Sequence, residues 1–283
     1  MMQPPECVTS RIAFVNDEWR DREDDPHIFS RGSRLANTSL REVVIHNARL
    51  RDAAGDLNLD RSGFVLVQHM SAVTDFRSKQ TVVGPYFCEM RELILALTGA
   101  QDAVPFPFYQ VRTNDPEHFF DAYSLYMHCD YTPGRLVAFA RDVLERSDRA
   151  GRYPESDWDY AFYNLWRPIR GVVQRNPLVL IDASTVLRED IIDYHPVREG
   201  ERGRAAVPLY NPGQRYYYVP AMRPDEVLVF KQLDSRPDLA FVCPHTSFED
   251  PTSLPDAPPR QSIDIRFLCV FPKQIGSTSR TGT

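Results

Sequence analysis

The segment AYSLYMHCDYTPGR, residues 122–135, sets a histidine and an aspartate two positions apart among strand-forming aromatics. In an extended backbone alternate side chains share a face, so the His128 imidazole and the Asp130 carboxylate would project to one side, within reach of one ion. A further histidine from a remote strand would complete a 2-His-1-carboxylate set, which binds Fe(II) on one face and leaves the opposite positions open. The pair alone is a weak signal, because 7 histidines and 39 acidic residues in 283 positions give roughly one His-x-acid by chance. A cross-strand hydrogen-bonded pair or a surface pair would read the same way. The candidates for the third ligand are His27, His46, His69, His118, His195 and His245. Only His245 joins a late apolar run, LAFVCPH, to a following segment with a potential anion clamp, Arg260-Gln261-Ser262. Arg-x-Ser also occurs at Arg31-Gly32-Ser33, so the informative feature is its place after His245.

The elements that must position these residues are mostly strands. GFVLVQHMSAV (63–73), VPFPFYQVRT (104–113), YSLYMHCDY (123–131), DYAFYNLWRPI (159–169) and PLVLIDAST (177–185) are short, apolar and β-branched or aromatic, with Pro, Gly, Asn or Asp between them. QRYYYVP (214–220), EVLVFKQLD (226–234), LAFVCPHTSF (239–248) and SIDIRFLCVF (262–271) continue the pattern, which is that of a sandwich or barrel. Apolar spacing predicts helices over YFCEMRELILALTGA (86–100), stopped by Gly99, and GRLVAFARDVLER (134–146). Residues 1–60 are charged and broken up, with EVVIHNARLRD as a strand, and read as an arm that wraps a core spanning 63–271 of a single domain. Residues 276–283 read as a disordered tail. Asn164 and Trp166 would share a strand face; if that face is the interior, both border the metal pocket as substrate-pocket candidates, although Trp166 also suits core packing. Arg167 would face away and could pair with an acid such as Asp182.

Composition narrows the class of partner. A net charge of −6, with Lys and Arg scattered among acids, argues against binding nucleic acid through phosphates. No apolar run approaches a membrane span, and the N-terminus lacks the basic and apolar regions of a secretory signal, so a cytoplasmic protein is expected. Five cysteines without Cys-x-x-Cys spacing, Cys7, Cys88, Cys129, Cys243 and Cys269, argue against structural zinc and a disulfide framework and read as free buried thiols. Oligomeric state is left open, a homodimer included.

Four motifs in order, HCDYTPGR, YNLWRPIRGVVQRNPLVLIDAST, YYYVPAMRPDEVLVFKQLDS and CPHTSFEDP followed by APPRQSIDIRFLCVF, carry a resemblance over residues 63–271. The chain resembles non-haem Fe(II)/2-oxoglutarate-dependent oxygenases of the group that contains fungal gibberellin desaturase, the hydroxylating component of cephamycin 7-methoxylation and fungal meroterpenoid oxygenases, among them an endoperoxide-forming enzyme. The resemblance implies a mainly β (α+β) fold, a double-stranded β-helix or jelly roll with flanking helices. It implies that His128, Asp130 and His245 hold Fe(II) and that Arg260 and Ser262 bind the far carboxylate of 2-oxoglutarate. The interval from His245 to Arg260 is longer than in isopenicillin-synthase-type oxygenases, which leaves Arg266 and Lys231 as alternatives. The implied reaction consumes O2 and 2-oxoglutarate, releases succinate and CO2, and abstracts hydrogen from a small terpenoid or meroterpenoid, ending in hydroxylation, desaturation or an endoperoxide. Two other readings stand beside it: a non-catalytic cupin-like module that binds a small molecule, and a zinc hydrolase. The first gives no reason to keep the full triad; the second lacks a neighbouring general base in a His-Glu-x-x-His setting.

Overall fold

In the computed structural model the described residues are 4–113, 123–197 and 203–274. The tail expected at 276–283 and the candidate ligand His118 lie outside them. The strands are β1 (Cys7–Val15), β2 (Thr38–Asn47), β3 (Phe64–Gln68), β4 (Asp102–Pro105), β5 (Gln110–Arg112), β6 (Trp158–Pro168) and β7 (Leu178–Ile181). They continue with β8 (Ile191–Tyr194), β9 (Ala205–Pro208), β10 (Tyr216–Tyr218), β11 (Glu226–Asp234), β12 (His245–Ser247) and β13 (Ser262–Pro272). One sheet runs β1-β2-β10-β7-β12, the other β3-β11-β6-β13-β4 with β5 also on β13, and β8 pairs with β9. This is the expected jelly-roll core with flanking helices.

The long strands β6 and β13 are apolar on both faces because both faces are covered. Outward from β6, Ala161, Tyr163 and Leu165 join Phe267 of β13 and Phe87, Met90 and Ile94 of the helix Phe87–Thr98 in one buried cluster. The helix shows those three side chains at three- and four-residue spacing, so a single stripe meets the sheet. Gly99 ends it at φ 65°, a left-handed conformation that glycine adopts without steric cost. Inward from the same strand, Trp166 packs with Leu228 and Phe230 of β11 against Leu178 and Leu180 of β7, which seals the two sheets together. The second predicted helix is present as a 3-10 turn, Pro133–Arg135, followed by an α-helix, Leu136–Glu145.

Several expectations are corrected. The N-terminal segment does not merely wrap the core: β1 and β2 form one end of a main sheet, pairing over nine residues, and β2 runs parallel to β10. The predicted strand through residue 52 turns at Asn47, whose side chain caps the helix Ala48–Ala53. Residues 123–131 do not make a regular strand; they touch two different neighbours through single bridges, His128 to His245 and Cys129 to Ala206. Of the run at 239–248 only β12 is regular. All five cysteines are free, but Cys7 and Cys88 are exposed while the other three are buried. Arg167 is buried and faces away from the interior as expected, yet it donates to the carbonyls of His69 and Pro224 and lies over Tyr86. Asp182 pairs instead with Arg51 at 2.6 Å.

Candidate metal centre

His128 and His245 meet because their backbones pair. His128 N donates to His245 O at 3.2 Å and His245 N to His128 O at 3.0 Å, the hydrogen-bonded pair of an antiparallel ladder. Directly opposite residues project to the same face, and the two rings lie 4.5 Å apart between centroids. Asp130, two residues on, returns to that face, so one ligand atom each from His128, Asp130 and His245 falls within 4.8 Å of the others. The segment bearing His128 is clamped from its other side, Met127 N donating to Ala13 O and Cys129 N to Ala206 O, both at 2.8 Å.

The protonation states suit a divalent cation. His128 Nδ1 lies 2.9 Å from Tyr126 O and 3.2 Å from Ser124 Oγ. Since a carbonyl only accepts, Nδ1 carries the proton and Nε2, 3.8 Å from Asp130 Oδ1, keeps its lone pair. Burial lowers the His128 pKa, and burial together with neighbouring His128 lowers that of His245 to about 3, so both imidazoles are neutral. Burial works against the Asp130 anion, but the Arg266 charge, with the Asn164 amide bond, outweighs it and holds the carboxyl well below the usual range. Two neutral imidazoles and one carboxylate, converging and buried, form a donor set that fits a small first-row metal.

Around the triad the cavity wall is largely polar. It is lined by Gln110, Ser124, Trp166, Arg260, Asp264 and Arg266, among others. Gln232, at a register shift in β11, accepts from Asp130 N at 3.0 Å and reaches His245 Nδ1 at 3.4 Å, bracing two of the three side chains. Asn164 Nδ2 donates to Asp130 Oδ2 at 2.6 Å. Arg260 is 3% exposed, donates to Asn176 O, and lies 4.2 Å over the Tyr123 ring and 5.2 Å over Trp166. No carboxylate among the described residues pairs with it, its Nε has no partner among them, and Ser262 Oγ is likewise orphaned. Burial lowers its pKa to about 9, which is the signature of a cation without a counter-ion. Trp166 thus does two jobs, core packing and a ring face for Arg260.

The two alternatives to Arg260 sit differently. Lys231 Nζ is committed to Asp234 at 2.7 Å and Asp60 at 3.0 Å, on the face of β11 away from the cavity. Arg266 lines the cavity but is shared between Asp130 at 3.1 Å and Asp264 at 3.5 Å. Asp264, whose carboxyl burial and the nearby Asp130 raise to about 7, was missed in the sequence, as was Gln232. A period-two reading of β13 could have found the first, since Ser262, Asp264 and Arg266 alternate along it and Arg260 lies two residues before its start. Nothing in the sequence marks the register shift that aims the second. Of the other histidines, His27 and His195 stack on each other at 4.6 Å and do not belong to the three-residue cluster.

A family model described as Oxidoreductase/YMDC permease-like domain matches residues 16–270. Among the described residues no helix is long and apolar enough to cross a membrane. The chain is 31% identical over 251 residues to the alpha-ketoglutarate-dependent dioxygenase phiK of Fungal sp. (strain ATCC 74256), covering 83% of this chain and 86% of that one. It is 29% identical over 240 residues to the Fe(II)/2-oxoglutarate-dependent dioxygenase nvfI of Aspergillus novofumigatus (strain IBT 16806), covering 82% and 84%. The solved structure of the iron and alpha-ketoglutarate-dependent endoperoxidase NvfI superposes with a TM-score of 0.79 at 25% identity, over 95% of this chain and 99% of that one. Hydroxylase/desaturase CTB9 of Cercospora beticola is 31% identical over 258 residues, 83% of this chain and 78% of that one. The chain belongs to this family of Fe(II)/2-oxoglutarate-dependent oxygenases, and it is an enzyme acting on a small molecule.

Proposed function

We propose that His128, Asp130 and His245 hold Fe(II), that Arg260 with Ser262 receives the distal carboxylate of 2-oxoglutarate, and that the enzyme oxidises a terpenoid or meroterpenoid-like secondary metabolite. The observation that carries the reading is the buried Arg260 guanidinium, without a carboxylate partner among the described residues, in the same cavity as a three-ligand cluster. A buried cation is costly alone and favourable once a carboxylate meets it, and the planar guanidinium suits a two-point contact. Tyr123 and Trp166 hold that guanidinium between their rings, and Tyr123 donates its hydroxyl proton to Arg260 O, so the cation is preorganised. Bound iron with the keto acid and dioxygen supplies hydrogen abstraction from an unactivated carbon, with succinate and CO2 released.

The chain's own part is placement. His128 keeps its proton on Nδ1 and presents Nε2, Gln232 braces His245 and the Asp130 backbone, and Phe230 and Leu178 exclude water from the triad's flank. Hydroxylation, desaturation and endoperoxide formation differ in where the substrate radical lies, and geometry of about one ångström decides such outcomes. Relatives with names of all three kinds support the range without selecting within it. A reducing, cytosolic setting is supported by the five unpaired cysteines.

Anaerobic addition of Fe(II) and 2-oxoglutarate tests the site: a visible charge-transfer band is expected, and its loss in His128→Ala. Absence of the band in the intact protein would favour a binding module or a zinc site. Incubation with a terpenoid panel then reads the outcome, through succinate release and a product mass gaining one oxygen, losing two hydrogens or gaining two oxygens.

A further inference from the structure

The two oxygens of Asp130 have unlike surroundings. Oδ1 faces His128 Nε2 across 3.8 Å. Oδ2 takes a 2.6 Å hydrogen bond from Asn164 Nδ2 and lies 3.1 Å from Arg266 Nη2. Arg266 and Asn164 are cross-strand neighbours on β13 and β6, and both are buried or nearly so. Asp264 sits 3.5 Å from each of them through Oδ2, and the rings of Phe108 and Tyr131 flank the Arg266 guanidinium. The guanidinium is therefore held by a second acid and two rings, and cannot leave Asp130 without stranding a buried charge.

We propose that Arg266, assisted by Asn164 and steadied by Asp264, is a positioning residue that confines Asp130 to a single metal-facing oxygen and thereby keeps room for a two-point keto acid. This rests on the iron reading given above. Were a six-coordinate ion held by one atom from each of the three side chains, three positions would be left, and a keto acid binding at two points together with dioxygen would use all of them. A carboxylate with both oxygens free can chelate the ion and remove one of them. Two donors on Oδ2 oppose that swing. The Arg266 charge also favours a doubly anionic cosubstrate over additional donation from Asp130.

The consequence separates binding of metal from binding of cosubstrate. Calorimetric titration with Co(II), and then with 2-oxoglutarate on the Co(II)-loaded protein, reads both without turnover. In Arg266→Met we expect Co(II) affinity equal to or tighter than in the unsubstituted protein, with the 2-oxoglutarate dissociation constant raised about 10- to 100-fold, the range typical of groups that orient a metal ligand. Arg266→Lys, which keeps the charge, should recover part of that loss, and Asn164→Ala should move in the same direction by a smaller factor. A 2-oxoglutarate affinity within about twofold in Arg266→Met, or both affinities falling together with the melting temperature, overturns the proposal. Should Arg266→Met not fold, unchanged cosubstrate affinity in Asn164→Ala has the same force. Failure of the unsubstituted protein to bind Co(II) and 2-oxoglutarate, or a His128→Ala variant that binds like it, instead removes the iron reading beneath.

Discussion

On the proposed reading a single side chain, Arg260, illustrates how burial becomes function. Its charge is desolvated and unpaired by any described carboxylate, so it destabilises the empty protein and rewards a dianionic ligand. Arg260→Gln should therefore raise the Michaelis constant for 2-oxoglutarate by about 10²-fold or more, from the ~2–5 kcal/mol carried by a buried charged contact. The melting temperature of the ligand-free protein should stay level or rise, because the lone charge is gone. A fall in stability with no change in that constant would assign Arg260 to the scaffold. The residues around it were legible to different degrees. His128, Asp130 and His245 could be singled out from type, spacing and motif order. Asp264 is marked only by its alternation along β13, and Gln232 is not marked at all, since it matters only through neighbours that a register shift brings near.

At the scale of elements, the supports outside the cavity set stability. Asp102 on β4 accepts from Arg91 at 2.7 Å, from Arg149 at 3.0 Å and from the Tyr153 hydroxyl at 3.0 Å, tying the helix Phe87–Thr98 and the loop after Leu136–Glu145 to the sheet. Burial pushes this carboxyl up, but the two arginines and the tyrosine outweigh it and bring it down to about 2. A folded pKa below the unfolded one means that the stabilisation is present above about pH 4 and is lost as pH falls toward 2. Asp102→Asn should cost about 2 kcal/mol at neutral pH, seen as a lower urea midpoint, and should flatten the acid limb between pH ~4 and ~2. An unchanged acid limb would deny Asp102 that role. Gly63 is a second support: at φ 81°, a Cβ there would lie 2.7 Å from Ala183 Cβ and 3.2 Å from Cys243 Cβ. Gly63→Ala should lose ~2–4 kcal/mol by thermal unfolding, from strain and overpacking together.

For the whole molecule, the segment that carries His128 and Asp130 is held by the strands it lies between, and on the proposed reading also by what it binds. Saturating Co(II) and 2-oxoglutarate, each at about a hundred times its dissociation constant, should each add ~2.7 kcal/mol and raise the melting temperature by several degrees; His128→Ala should show neither gain. The sequence by itself determined the types of the candidate ligands, the alternation that puts His128 and Asp130 on one side, the strand-rich class and the helix stopped at Gly99, because these follow from local periodicity and backbone sterics. Only the tertiary structure decided that residues 7–15 and 38–47 complete a main sheet, and that His128 lies between β12 and β9. It alone decided that Arg167 faces carbonyls while Asp182 takes Arg51, and that Arg260, not Lys231, remains without an acid among the described residues. Those outcomes depend on which distant strands share a register, and pairing across a hundred residues leaves no mark on the spacing of either partner.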